Sequence, residues 1–149
     1  MNNTINVQRD LEGRQLNITT GHVARQAHGS VTVQYGGTVV LVATVCAEET
    51  REGIDFLPLT VEYRERTYAA GKIPGGFFKR GGRPGEKEIL TARLIDRAVR
   101  PQLPKGMTNE TQVHAVVIST DMENSTDNMA LTNPPAALGI ADIPLANLL

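Results

Sequence analysis

Phe77, Phe78, Lys79, Arg80 and Arg83 put two flat apolar rings beside three cations within one short stretch, GKIPGGFFKRGGRPGEKE. The chain has only three phenylalanines, and two of them stand side by side here among glycines. A ring in a water-exposed loop is costly unless something covers its face. A nucleic-acid base can do so, and stacking on an aromatic ring is worth about 1–3 kcal/mol per base whatever the base. Neighbouring Lys and Arg would hold the phosphates between stacked bases, and the glycines let a backbone follow a strand closely. The alternative is that one or both rings fold back onto the core to anchor a long loop. Arg93, Arg97 and Arg100 form a second set, recurring at i, i+4 and i+7. On a helix they share one face, where they repel one another unless anions sit nearby. The guanidinium fork fits phosphate, but pairing with Asp96, Glu62 or Glu65 is an equal solution.

Other chemistry is thinly represented. His22, His28 and His114 are far apart, without ligand spacing. Cys46 ends an apolar run and reads as a small core residue. GGRPGEK fails the phosphate-loop pattern GxxxxGK[ST]. Asp121 and Asp127 fall in or near a turn and read as solvated. No residue is assigned as catalytic and none as a metal ligand.

The formal charge of −1 hides an asymmetry. Residues 64–105 carry eleven of the fifteen Lys and Arg but four of the sixteen Asp and Glu. A basic segment in an otherwise acidic chain suggests a local anion site, although a solvated basic face accounts for it equally well. Apolar residues make up 40 % of the 149, enough for a core, and tryptophan is absent, so Val, Ile, Leu and Ala must build it. A single cysteine fits a reducing compartment, and a cytoplasmic location is expected. The start, MNNTINVQRDLEG, has neither a basic n-region nor an apolar h-region, so no signal peptide is expected. No apolar run approaches the length of a membrane-spanning helix.

Elements that could position these residues follow from periodicity. INVQRDL and RQLNITT flank a turn and predict a hairpin. GHVARQAHG reads as a short helical turn or loop. SVTVQYGGTVVLVATVCAEE predicts two strands around Gly36-Gly37, with Val39 to Val45 buried on both faces. DFLPLTVEYRERT adds a strand with Leu59, Val61 and Tyr63 on one face and Pro58 at its start or at a bulge, so that the first sixty-odd residues read as a β-meander. Gly71 to Gly85, with six glycines and two prolines, predicts a long loop, a feature that is often functional. A helix is expected over Glu86 to Val99, its broad apolar face made by Leu90, Ala92, Leu94, Ile95, Ala98 and Val99. QVHAVVISTD predicts a strand, and an Ala-rich helical segment follows from about Thr126. The class is α+β. The last residues, IPLANLL, lack a polar cap, so a further segment or a partner is expected to cover them. The chain reads as one partial domain over residues 1–149, its C-terminal part missing.

The stretch REGIDFLPLTVEYRERTYAAGKIPGGFFKRGGRPGEKEILTARLIDRAVRP resembles the first RNase PH-like core domain of the polynucleotide phosphorylase family, and GRQLNITTGHVARQAHGSVTVQYGGTVVLVATV is similar to the same domain. The likeness runs well from Ile5 to Asp121 and loosely beyond. It implies a ribosomal-protein-S5-domain-2-like fold and a phosphate-dependent, reversible 3′-to-5′ exoribonuclease that releases nucleoside diphosphates. It also implies single-stranded RNA as partner, a trimeric ring in the longer protein, and Mg²⁺ and inorganic phosphate as the full enzyme's small molecules. On the match, Phe77, Phe78, Lys79, Arg80 and Arg83 contact RNA in a central channel, and Arg93, Arg97 and Arg100 lie towards the RNA path. The family's phosphate-binding and catalytic residues belong to a second core domain, so this chain alone is expected to bind RNA weakly and to be nearly inert, with no cofactor of its own. Rival readings are a non-catalytic RNA-binding or assembly module and a stand-alone RNase PH-type nuclease. The sequence departs from the family pattern at Gly81 and Gly85, where an acidic residue and a Ser are usual, in DRAVRPQLP, and at Pro134-Pro135. Those prolines either begin a helix or mark an altered region.

Overall fold

The computed structural model describes residues 4–50, 53–73, 75 and 82–146. Among these residues six strands form one sheet in the order β1-β2-β3-β4-β6-β5, and three α-helices lie on one of its faces. The strands are β1 (Ile5–Leu11), β2 (Arg14–Thr20), β3 (Gly29–Tyr35), β4 (Thr38–Thr50), β5 (Leu59–Glu65) and β6 (Asn109–Ser119). The helices are α1 (Glu86–Val99), α2 (Thr126–Thr132) and α3 (Pro134–Ile140).

The first four strands are the expected antiparallel meander. The β3–β4 turn is tight because Gly36 takes φ 59°, a conformation that most side chains resist. The meander stops at β4, contrary to the sequence expectation. β6 pairs antiparallel with β4, and β5 lies outside it, parallel to β6. The cause is α1. A strand–helix–strand crossover returns the chain in the direction it started, so β5 and β6 must run parallel. Pro58 sits just before β5, where its carbonyl accepts from the Thr111 N–H at 3.0 Å.

Alternation puts Val31, Val33, Val40, Val42, Tyr63, Val113, Ala115 and Val117 on the helix-covered face, where all are buried. α1 packs on β5, α2 on β4 and β6, and α3 on β3 and β4. Val39 to Val45 is therefore not buried on both faces as the apolar run suggested. Thr38, Val40, Val42 and Thr44 are sealed, Val39, Leu41 and Ala43 are half-buried, and Val45 is exposed, because no layer of the described residues covers the other face. Strand and helix approach closely at Gly29, where an added Cβ would run into the Ala137 carbonyl and sit 2.8 Å from the Ala141 methyl. Pro134 and Pro135 open α3 at its first two positions, where a missing N–H costs nothing, so two short helices replace one long one.

α1 has the predicted limits but a narrower buried face. Thr91, Ile95 and Val99 are buried, while Leu90 and Leu94 are each 52 % exposed. The helix rides over the sheet's edge strand, so its apolar flank overhangs with none of the described residues sealing it.

Candidate nucleic-acid interface

β5 alternates along LTVEYRE. Leu59, Val61 and Tyr63 turn towards the helices, and Thr60, Glu62 and Arg64 away from them. It is an edge strand, and α1 lies alongside. Between them runs a groove of about 440 Å³. Its apolar lining comes from Val61, Pro84, Ile89 and Ala92, and its charges from Glu62, Arg64, Arg93, Asp96 and Arg97.

Of the two carboxylates in the groove, Asp96 is already engaged. Asp96 accepts from Arg100 through both oxygens, Nη2 at 2.7 Å and Nε at 3.1 Å. Glu62 faces the His114 ring of β6 at 3.7 Å. Among the described residues, Arg64, Arg93 and Arg97 have no ion-pair partner. Three guanidiniums are thus left over beside an apolar floor. That arrangement suits a ligand with phosphates to bind and flat apolar faces to shelter.

Helix geometry brings Arg93 and Arg97 together at the groove, as the i, i+4 spacing predicted. Arg100 differs. Its Nη1 donates to the Leu57 carbonyl at 3.3 Å, and its other nitrogens hold Asp96. Arg83 is exposed next to Pro84 at the groove's edge. Phe77, Phe78, Lys79 and Arg80 lie outside the described residues.

Two polar hubs escaped sequence reasoning. At the end of β5, Glu65 Oε1 accepts from Tyr63 Oη at 2.6 Å, Lys87 Nζ at 2.7 Å and Thr126 Oγ1 at 2.9 Å. Lys87 also reaches Asp127 at 3.3 Å, so Asp127 is not simply solvated. Burial opposes the charge on Glu65, but the bonds from Lys87, Tyr63 and Thr126 outweigh it and hold the carboxyl below its usual range. Burial, reinforced by the Glu65 bond, pushes the Tyr63 phenol up. Glu88 adds a bidentate tie, accepting from the Glu65 N–H at 2.8 Å and the Gly85 N–H at 2.7 Å. The spacing from Gly85 to Glu88 fits half of a capping box and was a readable signal.

The second hub is Asp121, also expected to be solvated. Its carboxylate accepts from the Gly37 N–H, Thr38 Oγ1, the Glu123 and Asn124 N–H groups and Asn124 Nδ2, at 2.6–3.0 Å. The Asn124 N–H leads these donors in holding the carboxyl far below its usual range. Its partners on the β3–β4 turn lie more than eighty residues away in sequence, so no local pattern announces them.

No group of three or more His, Cys, Asp or Glu among the described residues is placed to hold a metal ion. Glu65 and Asp127 come together, but Lys87 already lies against both.

The 3′ exoribonuclease family, domain 1 (RNase PH) matches residues 12–144. The chain belongs to the RNase PH family. Among its relatives, the polyribonucleotide nucleotidyltransferase of Syntrophus aciditrophicus (strain SB) is 60 % identical over 135 residues, covering 91 % of this chain and 19 % of the relative. That of Bradyrhizobium diazoefficiens is 56 % identical over 144 residues, covering 97 % of this chain and 20 % of the relative. The chain therefore spans about a fifth of the length of these relatives. Rice (Oryza sativa) Rrp46 superposes with a TM-score of 0.62 at 21 % identity, covering 99 % of this RNase PH domain and 60 % of that chain. It supports the fold alone. No helix among the described residues is long and apolar enough to cross a membrane.

Proposed function

We propose that this RNase PH domain grips single-stranded RNA as the first core domain of a phosphorolytic 3′-to-5′ exoribonuclease. In that reaction an oxygen of inorganic phosphate attacks the terminal internucleotide phosphorus. The P–O3′ bond breaks, the 3′ oxygen leaves and takes up a proton, and a nucleoside diphosphate is released. The observation that carries the reading is the groove between β5 and α1, where Arg64, Arg93 and Arg97 remain without carboxylate partners among the described residues. The 56–60 % identity to polyribonucleotide nucleotidyltransferases supports it from a second direction. In the proposal Arg93, Arg97 and Arg83 meet phosphates, Phe77 and Phe78 stack on bases, and Lys79 and Arg80 hold the linkages between them. Arg100 serves the strand by neutralising Asp96. The domain works within a longer, trimeric cytoplasmic protein, as one RNase PH-like unit of a chain whose other domains supply phosphate binding and proton transfer.

The test is anisotropy of a labelled adenylate decamer titrated with the 149-residue chain. Weak, salt-sensitive binding is expected. Phe77→Ala with Phe78→Ala should weaken it about thirtyfold or more, at about 1 kcal/mol or more per stacked base. Arg93→Ala with Arg97→Ala should lower the salt slope by about one for each phosphate no longer neutralised. Binding unmoved by either pair would reject the reading. Incubation with RNA, phosphate and Mg²⁺ should release no appreciable nucleoside diphosphate; brisk release would favour the stand-alone nuclease.

A further inference from the structure

Every residue of β5 and α1 that lines the groove falls between two polar clasps. On the strand these are positions 61–64, and on the helix 89–97. At one end Glu88 accepts from the Glu65 N–H, while its other oxygen takes the Gly85 N–H. At the other end Arg100 donates to the Leu57 carbonyl and grips Asp96 one turn back. The first clasp joins a helix side chain to strand backbone, and the second joins the residue capping α1 to the backbone two residues before β5. Between them the helix is held to the sheet by Ile95, Val99 and other apolar groups. Apolar burial is non-directional and tolerates small sliding. Hydrogen bonds to main chain do not, because they fail within a few tenths of an ångström or tens of degrees. A slip of one residue along a helix is about 1.5 Å, enough to misalign a guanidinium with a phosphate oxygen.

We propose that Glu88 and Arg100 are positioning residues that fix the register of α1 along β5, and so set the spacing of Arg93 and Arg97 on one wall from Arg64 on the other. This rests on the RNA-binding reading above. The ligand it selects is a single strand whose successive phosphates match that spacing, in preference to a compact anion such as free phosphate.

A double-mutant cycle in the 149-residue chain tests it, with the labelled adenylate decamer as probe and inorganic phosphate as competitor. Glu88→Ala should weaken decamer binding roughly threefold to tenfold in the wild-type background, and by less than about twofold when Arg93→Ala and Arg97→Ala are already present. Glu88→Gln, which keeps one acceptor oxygen, should fall between, and it serves as the working variant if Glu88→Ala lowers the fraction folded. Phosphate should compete weakly with wild type. An equal loss in both backgrounds overturns the proposal, since a general structural defect would act in each. So does unchanged affinity of Glu88→Ala beside a binding-competent wild type. If wild type binds no RNA, the functional reading fails separately, and the clasp is then read from side-chain Nε–H resonances. Shifts at Arg64, Arg93 and Arg97 in Glu88→Gln sustain the register claim, and unmoved resonances end it.

Discussion

At one edge of the sheet β5 runs beside α1, five of its seven residues half-buried or sealed, with three arginines left unpaired in the groove among the described residues. At the other edge β1 pairs only with β2, and all seven of its residues are exposed. Ile5, Val7 and Leu11 point towards the helix layer, but α2 and α3 stop over β3, β4 and β6. Of the two arginines there, Arg14 on β2 is spent internally, reaching Glu123 at 3.2 Å and Asn124 at 3.1 Å, while Arg9 stands exposed on β1. Exposure alone does not make an interface. The β5 edge offers a concavity plus a surplus of arginine over carboxylate, because Asp96 is claimed by Arg100 and only Glu62 is left beside Arg64, Arg93 and Arg97.

The comparison is broken most strongly from beneath the groove. Ile95 is fully buried under α1, between the helix and the sheet. Ile95→Ala should cost about 2–5 kcal/mol of stability, the range for a large-to-small change in a packed core. Chemical denaturation should show a lower midpoint with an unchanged slope. A cost below about 1 kcal/mol would mean that α1 is not seated as described, and the groove's walls would lose their support.

Much of the β1 edge was legible because turn chemistry is local. INVQRDL and RQLNITT became β1 and β2 to the residue, joined by Glu12-Gly13. α1 was legible from Gly85, Glu86 and the 3.6-residue period. The β5 edge was less so. Nothing within DFLPLTVEYRERT says that a strand fifty residues later will insert between it and β4. That is a tertiary decision, set by the α1 crossover and the β4–β6 register. Leu90 and Leu94 misled for a related reason, since a period shows which residues share a face but not how wide a face the neighbours cover. The spacing of Arg93 and Arg97 placed them together, whereas the engagement of Arg100 by Leu57 depends on a carbonyl forty-three residues away. Asp121 was missed because its partners are equally remote.

Acid should act on both sides of the sheet. Asp121 ties the β3–β4 turn, next to the β1–β2 side of the sheet, to the loop after β6. The fold holds its carboxyl below its ordinary value, led by the Asn124 N–H. A carboxyl depressed in the folded state contributes stability that is fully present above the unfolded pKa, about 3.9. That contribution is lost as pH falls from there towards the folded value. Glu65, at the β5 end, is depressed in the same direction. Calorimetric melts of wild type should therefore decline steeply below about pH 4. Asp121→Asn should melt lower at neutral pH and follow a flatter acid limb, with the Glu65 part remaining. Parallel curves would show that the Asp121 hub does not stabilise the fold.

The smallest effect belongs to the exposed edge. Val7 is 59 % exposed on β1, opposite Ile18 of β2, and no helix covers it. Val7→Thr keeps the β-branched shape that strands favour and exchanges a methyl for a hydroxyl that water can satisfy. The change in stability should stay within about 0.5 kcal/mol, as for surface positions without special contacts, and decamer affinity should not move. A loss of more than about 1 kcal/mol would require that something covers the β1 face in solution. The isolated sheet would then be the wrong frame, and a melt repeated over a range of protein concentrations would separate the cases. Stability that rises with concentration points to a second copy seated on Ile5, Val7 and Leu11. Stability independent of concentration points to burial within the chain itself.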